Sequence, residues 1–198
     1  EKARVILVEG GPRLLAAFDV SLSDRAKEQL EELGVEVRVG RSVVAIDEQG
    51  VSLREPGERT ESMAERIESG TVLWGAGVRG TRLAETLGVD IDKQGRVVVE
   101  NDCSIPGFDH AFAIGDMAHF EDGGNVLPGL SPVAMQQGRY VARIIQKGTP
   151  KETRVPFRYV DKGIMATIGR SRAIAQTGKM HLSGTLAWFA WLFIHVLF

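Results

Sequence analysis

Apolar positions along this chain recur with two periods, and the alternation between them predicts the elements. Residues 4–9 are almost continuously apolar, as buried parallel strands are, and Gly10-Gly11-Pro12 then turns the chain. Leu22, Ala26, Leu30 and Leu33 follow at spacings of four, four and three, which predicts a helix over residues 22–33 stopped by Gly34. Residues 35–39 alternate as a strand, and 43–46 with 51–53 read as a small hairpin turning at Glu48-Gln49-Gly50. The stretch 55–69 is polar and carries no clear period. Residues 71–74 are apolar again and read as a strand ending in Gly75-Ala76-Gly77. A short helix over 81–87 stops at Gly88, and strands are expected at 97–99 and 111–114 with a turn at 104–107 between them. Ser131 as N-cap with Pro132 at the first helical position opens a helix to about residue 147, and Gly148 follows it. Residues 157–159 and 165–168 suggest a last hairpin. Strands alternating with helices in this way predict an α/β chain.

Composition agrees with that class: 198 residues, 43% hydrophobic, with 23 glycines. The chain begins at Glu1 just before a strand and stops within an apolar run, so it is expected to be an internal piece of a longer protein. Its single cysteine, Cys103, excludes an intrachain disulfide and a cysteine-rich metal site. The spacing of His110, His119, His181 and His195 suggests no metal centre either.

The net charge of −2 conceals a split. Residues 143–180 carry nine Lys or Arg against Glu152 and Asp161, a local +7, while the residues before them sum to −9. Residues 186–198, LAWFAWLFIHVLF, contain no Asp, Glu, Lys or Arg, and hold aromatics at Trp188, Phe189, Trp191, Phe193 and Phe198. Thirteen apolar residues are too few to span a bilayer, which needs about 20. A basic stretch followed by an apolar one suits a helix lying on an anionic membrane surface, with a buried core helix or a truncated span as the competing readings.

The densest chemistry lies in residues 111–145, AFAIGDMAHFEDGGNVLPGLSPVAMQQGRYVARII. Asp116 at a strand end can accept hydrogen bonds from sugar hydroxyls, and Gly115 admits close backbone approach. The helix start at Ser131 offers backbone N–H groups and the positive end of a dipole to a ligand that becomes anionic. This segment resembles the flavin-binding return segment of the two-dinucleotide-domain flavoprotein reductases. Its fuller wording, with LPGLSPVAMQQGRYVA, resembles the type II NADH:quinone oxidoreductases. The resemblance implies a Rossmann-like fold: residues 1–76 as the later NADH domain, 77–150 as the returning FAD domain, and 151–198 as a quinone and membrane segment.

The same resemblance implies FAD and NADH as cofactors, hydride transfer from NADH to FAD, and electron transfer on to a membrane quinone. Glu9 would bind the adenosine ribose and disfavour a 2′-phosphate, although Arg13 nearby could meet one. Gly75, Ala76 and Gly77 would lie against a dinucleotide, and Gly115, Asp116, Ser131, Pro132, Val133 and Lys162 against the flavin. Gln136 and Gln137 would meet the quinone, although Ser131-Pro132 replaces the family's first Ala-Gln pair. Trp188, Trp191 and Phe193 would enter the membrane interface. The chemistry belongs to the cofactor, so no catalytic acid–base dyad is expected. The implied setting is peripheral, on the cytoplasmic face of a bacterial-type inner membrane, with a homodimer as an option and no nucleic-acid partner. The isolated chain is expected to be inactive and to hold FAD weakly, because the first Gly-rich loop of each nucleotide domain lies outside it. Three alternatives stay open: a soluble flavoprotein reductase, a sulfide:quinone-type reductase, and a non-catalytic membrane-binding module of the same fold.

Overall fold

In the computed structural model, which describes residues 3–57 and 64–197, the first apolar run is strand β1 (Val5–Glu9). Helix α1 (Val20–Glu32) starts where the Asp19 carboxylate accepts the Ser21 N–H at 2.9 Å, a side-chain cap that the apolar spacing alone did not reveal. Strand β2 (Val35–Val39) returns parallel to β1, pairing Val5 with Val35 and Glu9 with Val39. A second sheet follows, built from β3 (Ser42–Asp47), β4 (Gly50–Arg54) and β5 (Glu65–Glu68) in antiparallel order. The hairpin β3–β4 matches expectation. Strand β5 lies in the polar stretch, where its one buried apolar residue, Ile67, is too little for a sequence pattern. Residues 58–63 of that stretch and Phe198 of the tail lie outside the described residues.

Gly50 opens β4 at φ +141°, and a Cβ there would sit 2.1 Å from the Ile67 carbonyl oxygen. Gly50→Ala is therefore expected to lower stability by about 2–4 kcal/mol in urea unfolding. Gly57→Ala, at positive φ with open space around it, is expected to lose only about 1 kcal/mol.

Residues 71–74 form no strand, contrary to expectation. They have no ladder partner among the described residues, and Leu73 is 91% exposed. An apolar run becomes a strand only where a neighbouring backbone completes its hydrogen bonds.

Beyond Gly75 come helix α2 (Arg82–Thr86) and strand β6 (Val97–Val98), then a hairpin of β7 (Ser104–Ile105) and β8 (Phe108–Phe112). The expected strand at 111–114 is thus displaced. It runs from 108 to 112 and pairs with β7, while Ala113-Ile114 continues as extended chain. Strand β9 (Ala118–His119) lies parallel to β6, and β10 (Glu121–Asp122) with β11 (Asn125–Val126) makes a tight hairpin over Gly123-Gly124. Helix α3 (Ser131–Lys147) ends at Gly148, which takes the left-handed conformation typical of a helix stop.

The last hairpin is also displaced. Residues 157–159 are irregular, and strands β12 (Ile164–Thr167), β13 (Ala173–Thr177) and β14 (Met180–Ser183) form an antiparallel sheet. Phe157 is held by its side chain, packing edge-to-face on Phe120 at 5.4 Å, and needs no ladder. Helix α4 (Gly184–Leu197) closes the chain.

The molecule divides into two compact units, Glu1–Trp74 with Lys162–Phe198, and Gly75–Asp161. In the first, Phe18, Leu22 and Ala26 of the α1 region pack on Ile168 and Ile174, and Ala187 of α4 packs on Ala173 and Ala175. In the second, Cys103, Phe120, Val141 and Phe157 share one core, with Ala84, Val97, Ile105 and Ala113 in another.

Candidate functional site

The site in the second unit is a turn pressed against a helix start. After β8 the chain runs extended through Ile114, and Gly115 at φ +61° opens a single 3-10 turn, Gly115–Met117. A Cβ on Gly115 would lie 2.9 Å from the Ala134 Cβ, so glycine is required here by the approach of α3. The Gly115 N–H donates to Gln137 Oε1 at 2.7 Å. Gln137 is 1% exposed, so its side chain supports the turn from within.

This geometry presents Asp116 outward. Its carboxylate is exposed and has no hydrogen-bond or ion-pair partner among the described residues. Gly129 backs it so closely that a Cβ there would stand 3.0 Å from Asp116 Oδ1. An unpaired acid held between two glycine-dependent backbone segments is an acceptor prepared for hydroxyl donors. The sequence marked Asp116 but held no hint of the part played by Gly129.

The start of α3 differs from expectation in one respect. Leu130 occupies the cap position in an extended conformation, and the Ser131 hydroxyl lies 3.7 Å from Met135 Sδ instead of capping the helix. The Val133 and Ala134 N–H groups both donate to Leu130 O, and Pro132 has none. Ser131 therefore offers the one first-turn N–H without a protein partner among the described residues, and Val133 is buried. The helix dipole still points its positive end here.

Gln136 engages both ends of its amide: Nε2 donates to Val160 O and Oε1 accepts the Val160 N–H, each at 3.0 Å. With Gln137 buried against Gly115, neither glutamine presents an idle amide to an outside ligand. Nearby, the Tyr140 hydroxyl donates to Val155 O at 2.6 Å, and burial pushes its pKa up to about 12. The Tyr159 hydroxyl is buried with no hydrogen-bond partner among the described residues, and burial raises its pKa too.

In the first unit, Glu9 at the end of β1 accepts the Gly11 N–H on Oε1 at 2.7 Å, and its Oε2 has no protein partner among the described residues. Arg13 donates to Phe18 O, Ala16 O and Ser23 Oγ, so both terminal nitrogens of its guanidinium are engaged in fastening a loop. Gly75, Ala76 and Gly77 are exposed and irregular. Lys162 is exposed, without an ion-pair partner among the described residues.

The basic stretch is less of a free surface than its charge suggested. Lys151 pairs with Glu100 and Asp109, Arg158 with Asp122, and Arg172 with Glu32. Arg154 is buried, 2.9 Å from a buried Asp102. Such pairings join positions far apart in sequence and leave no local pattern. Cys103 is buried at φ +63°, and burial pushes its thiol up to about 12, so it is no nucleophile. His110 lies in β8 and His119 in β9, and His119 Nδ1 stands 2.9 Å from Asp92, which pins β9 to the loop before β6.

Helix α4 turns Ala187 and the half-buried Trp188 onto the β13 sheet and leaves Leu186, Phe189, Phe193 and Val196 exposed at spacings of three, four and three. Trp191 is half-buried and stacks on His195 at 4.3 Å. Of the three residues expected at a membrane interface, Phe193 therefore stands on the exposed stripe. No helix among the described residues is long and apolar enough to cross a membrane.

A parallel β–α–β start, a glycine-dependent turn ending in an unpaired acid, and a helix directed at it belong to a nucleotide-binding flavoprotein architecture. Residues 2–138 match the family described as Pyridine nucleotide-disulphide oxidoreductase, and the chain belongs to that family. Within it, the chain is similar to the Type II NADH:quinone oxidoreductase Ndh of Mycobacterium tuberculosis, with 39% identity over 202 residues, 98% of this chain and 42% of that protein. It is also similar to the Type II NADH:quinone oxidoreductase of Staphylococcus aureus, with 33% identity over 95% of this chain and 46% of that protein. The chain thus spans less than half the length of these curated relatives. The fold is shared with NDH2 of Plasmodium falciparum, solved in complex with NADH, at a TM-score of 0.81, with 16% identity over 98% of this chain and 55% of that one. Reduced CoADR-RHD of Bacillus anthracis shares it at a TM-score of 0.68, with 22% identity over 88% of this chain and 30% of that one.

Proposed function

We propose that the chain supplies part of the NADH and FAD sites, and the quinone-facing segment, of a membrane-bound NADH:quinone oxidoreductase. The observation that carries this is Asp116, an unpaired exposed carboxylate backed by Gly129 beside the start of α3. Asp116 would accept hydroxyl donors of the flavin's ribityl chain, and the Ser131 N–H with the α3 dipole would face the ring. When bound, FAD would supply the hydride-accepting, two-electron chemistry that links NADH to a quinone. Gln137 sets the turn by holding Gly115, so we assign it to positioning and leave quinone contact to Gln136, which would exchange its Val160 bonds for a quinone carbonyl.

Glu9 Oε2 would accept the adenosine ribose hydroxyls, and the occupied guanidinium of Arg13 favours NADH over its 2′-phosphorylated form. Gly75, Ala76 and Gly77 would give backbone access to a dinucleotide. On this reading residues 1–76 belong to the NADH domain and 77–150 to the FAD domain. The exposed stripe of α4 would lie in the membrane interface, with Lys162 and the unpaired basic residues towards anionic headgroups.

The test uses the complete gene product, purified in mild detergent and returned to vesicles. It should be yellow, oxidise NADH faster than NADPH, and reduce a soluble quinone analogue. Phe189→Ser with Phe193→Ser should release it from vesicles at least tenfold, because each exposed aromatic contributes about 1.5–3 kcal/mol on burial. A colourless protein, or one indifferent to NADH, would overturn the assignment.

A further inference from the structure

A second site lies in the first unit, built from residues that belong to none of the nucleotide motifs. A cleft of about 270 Å³ opens between α1 and the start of α4. Helix α1 contributes Gln29, whose side chain is nine-tenths buried yet has no hydrogen-bond partner at either end of its amide among the described residues. Opposite stand Ser183 and Thr185 at the N-terminus of the fourteen-residue α4, where no side-chain cap serves the first turn among the described residues. Each of these is a polar group facing the cleft with hydrogen-bonding capacity to spare.

The charges around the cleft decide what would fit. Arg25 pairs with Glu28 at 2.9 Å, and Arg172 pairs with Glu32, so the rim holds two cations and two anions. A bare phosphate would meet both carboxylates at a loss. A phosphodiester carrying a primary ammonium would not, because its N–H groups donate to the carboxylates, whereas a choline headgroup is too bulky and has no N–H to offer them. In the primary ammonium ester the phosphate fits the α4 N-terminus, the Gln29 amide N–H and the arginines, and the ammonium fits Glu28 and Glu32. The apolar stripe of α4 begins at Leu186, one residue beyond Thr185, so acyl chains attached to such a headgroup would run along that stripe.

We propose that this cleft binds the phosphoethanolamine headgroup of a membrane lipid, fixing α4 in register with the bilayer surface. Lipid occupancy rests on the membrane reading of α4 under the proposed function. A water-soluble phosphoethanolamine ester presents the same chemistry, and the experiment separates the two sources.

The complete gene product is partitioned onto vesicles of phosphatidylcholine with phosphatidylglycerol, and onto vesicles in which phosphatidylethanolamine replaces phosphatidylcholine. About fivefold to tenfold tighter partition is expected with phosphatidylethanolamine, the effect of roughly one charge-assisted contact. Gln29→Leu keeps the volume and removes the amide, and Thr185→Val removes a hydroxyl at the helix start. Both should abolish the preference and leave partition onto the phosphatidylcholine vesicles unchanged. A preference arising from membrane curvature would persist in both variants and would overturn the proposal. Vesicle binding without any headgroup preference would overturn it as well, leaving the membrane reading intact.

Glycerophosphoethanolamine, with inorganic phosphate as control, is titrated against the same protein while the Gln29 side-chain amide is followed by NMR. A shift with the ester and none with phosphate is expected. If vesicles do not bind at all, that shift supports a soluble ester as the occupant and the membrane reading falls. Absence of the shift overturns the cleft.

Discussion

Arg154→Met is expected to lower the stability of the chain by about 3–5 kcal/mol, read as a drop in the urea midpoint with little change in slope. Arg154 lies with its side chain 3% exposed and uses all three guanidinium nitrogens, on Asp102 Oδ2 at 2.9 Å, Asp109 O at 2.8 Å and Thr149 O at 3.1 Å. It also covers the Phe112 ring at 5.2 Å. Removing it strands the buried Asp102 carboxylate, which retains only the N–H and hydroxyl of Ser104. A buried charge without its partner is far more costly than the pair is favourable, so the single substitution should exceed the effect of replacing both residues by apolar ones.

The same pair sets an acid limit. Burial alone would raise the Asp102 pKa, but the Ser104 hydroxyl, the Arg154 guanidinium and the Ser104 N–H together hold it below the ordinary carboxylate value. A depressed folded pKa means that the contribution is complete above the ordinary carboxylate range and is lost as pH falls through the lowered value. Stability should therefore decline on acidification below about pH 4, and Asp102→Asn should flatten that decline while lowering stability at neutral pH. Equal acid limbs in the two proteins would refute this account of the pair.

Asp116→Ala in the complete gene product is expected to weaken FAD binding by about 100-fold to 10,000-fold. Two hydrogen bonds from flavin hydroxyls to a carboxylate are worth about 1.5–3 kcal/mol each, and each 1.4 kcal/mol is a factor of ten. The protein should leave gel filtration colourless and recover NADH oxidation only when excess FAD is supplied. Asp116 has no protein partner to lose among the described residues and is exposed, so the fold should be unaffected and the thermal midpoint of the flavin-free protein unchanged. Normal flavin content in the variant would remove Asp116 from the site and with it the main support for the proposed function.

These two residues show how unevenly the sequence speaks. Asp116 was legible because its surroundings are local: a strand, a glycine, an acid and a helix start within twenty residues. Arg154 was misleading, because in sequence it belongs to a basic block and in the fold it is buried against an acid fifty-two positions away. Helix α1, strands β1 and β2 and the β3–β4 hairpin were equally plain, since each is specified by a short local run of apolar spacing and the turn or stop beside it. The strands expected at 71–74 and 157–159, and the one displaced to 108–112, failed together, for one reason. Apolar runs record which residues avoid water, whereas a strand also requires a partner backbone.

By itself, then, the sequence determined the α/β class, the turn at Gly115-Asp116, the helix behind it and the apolar end of the chain. Hydrophobic period, turn chemistry and helix stops are set over a few residues and need no knowledge of distant ones. Only the tertiary structure decided that Gln137 faces inward to Gly115, that Gly129 backs Asp116, that Arg13 is spent on its own loop, and that Gln29 is left unsatisfied in a cleft. Each of those facts depends on side chains or backbone brought together by folding, and pairing of that kind is not written in the order of the residues.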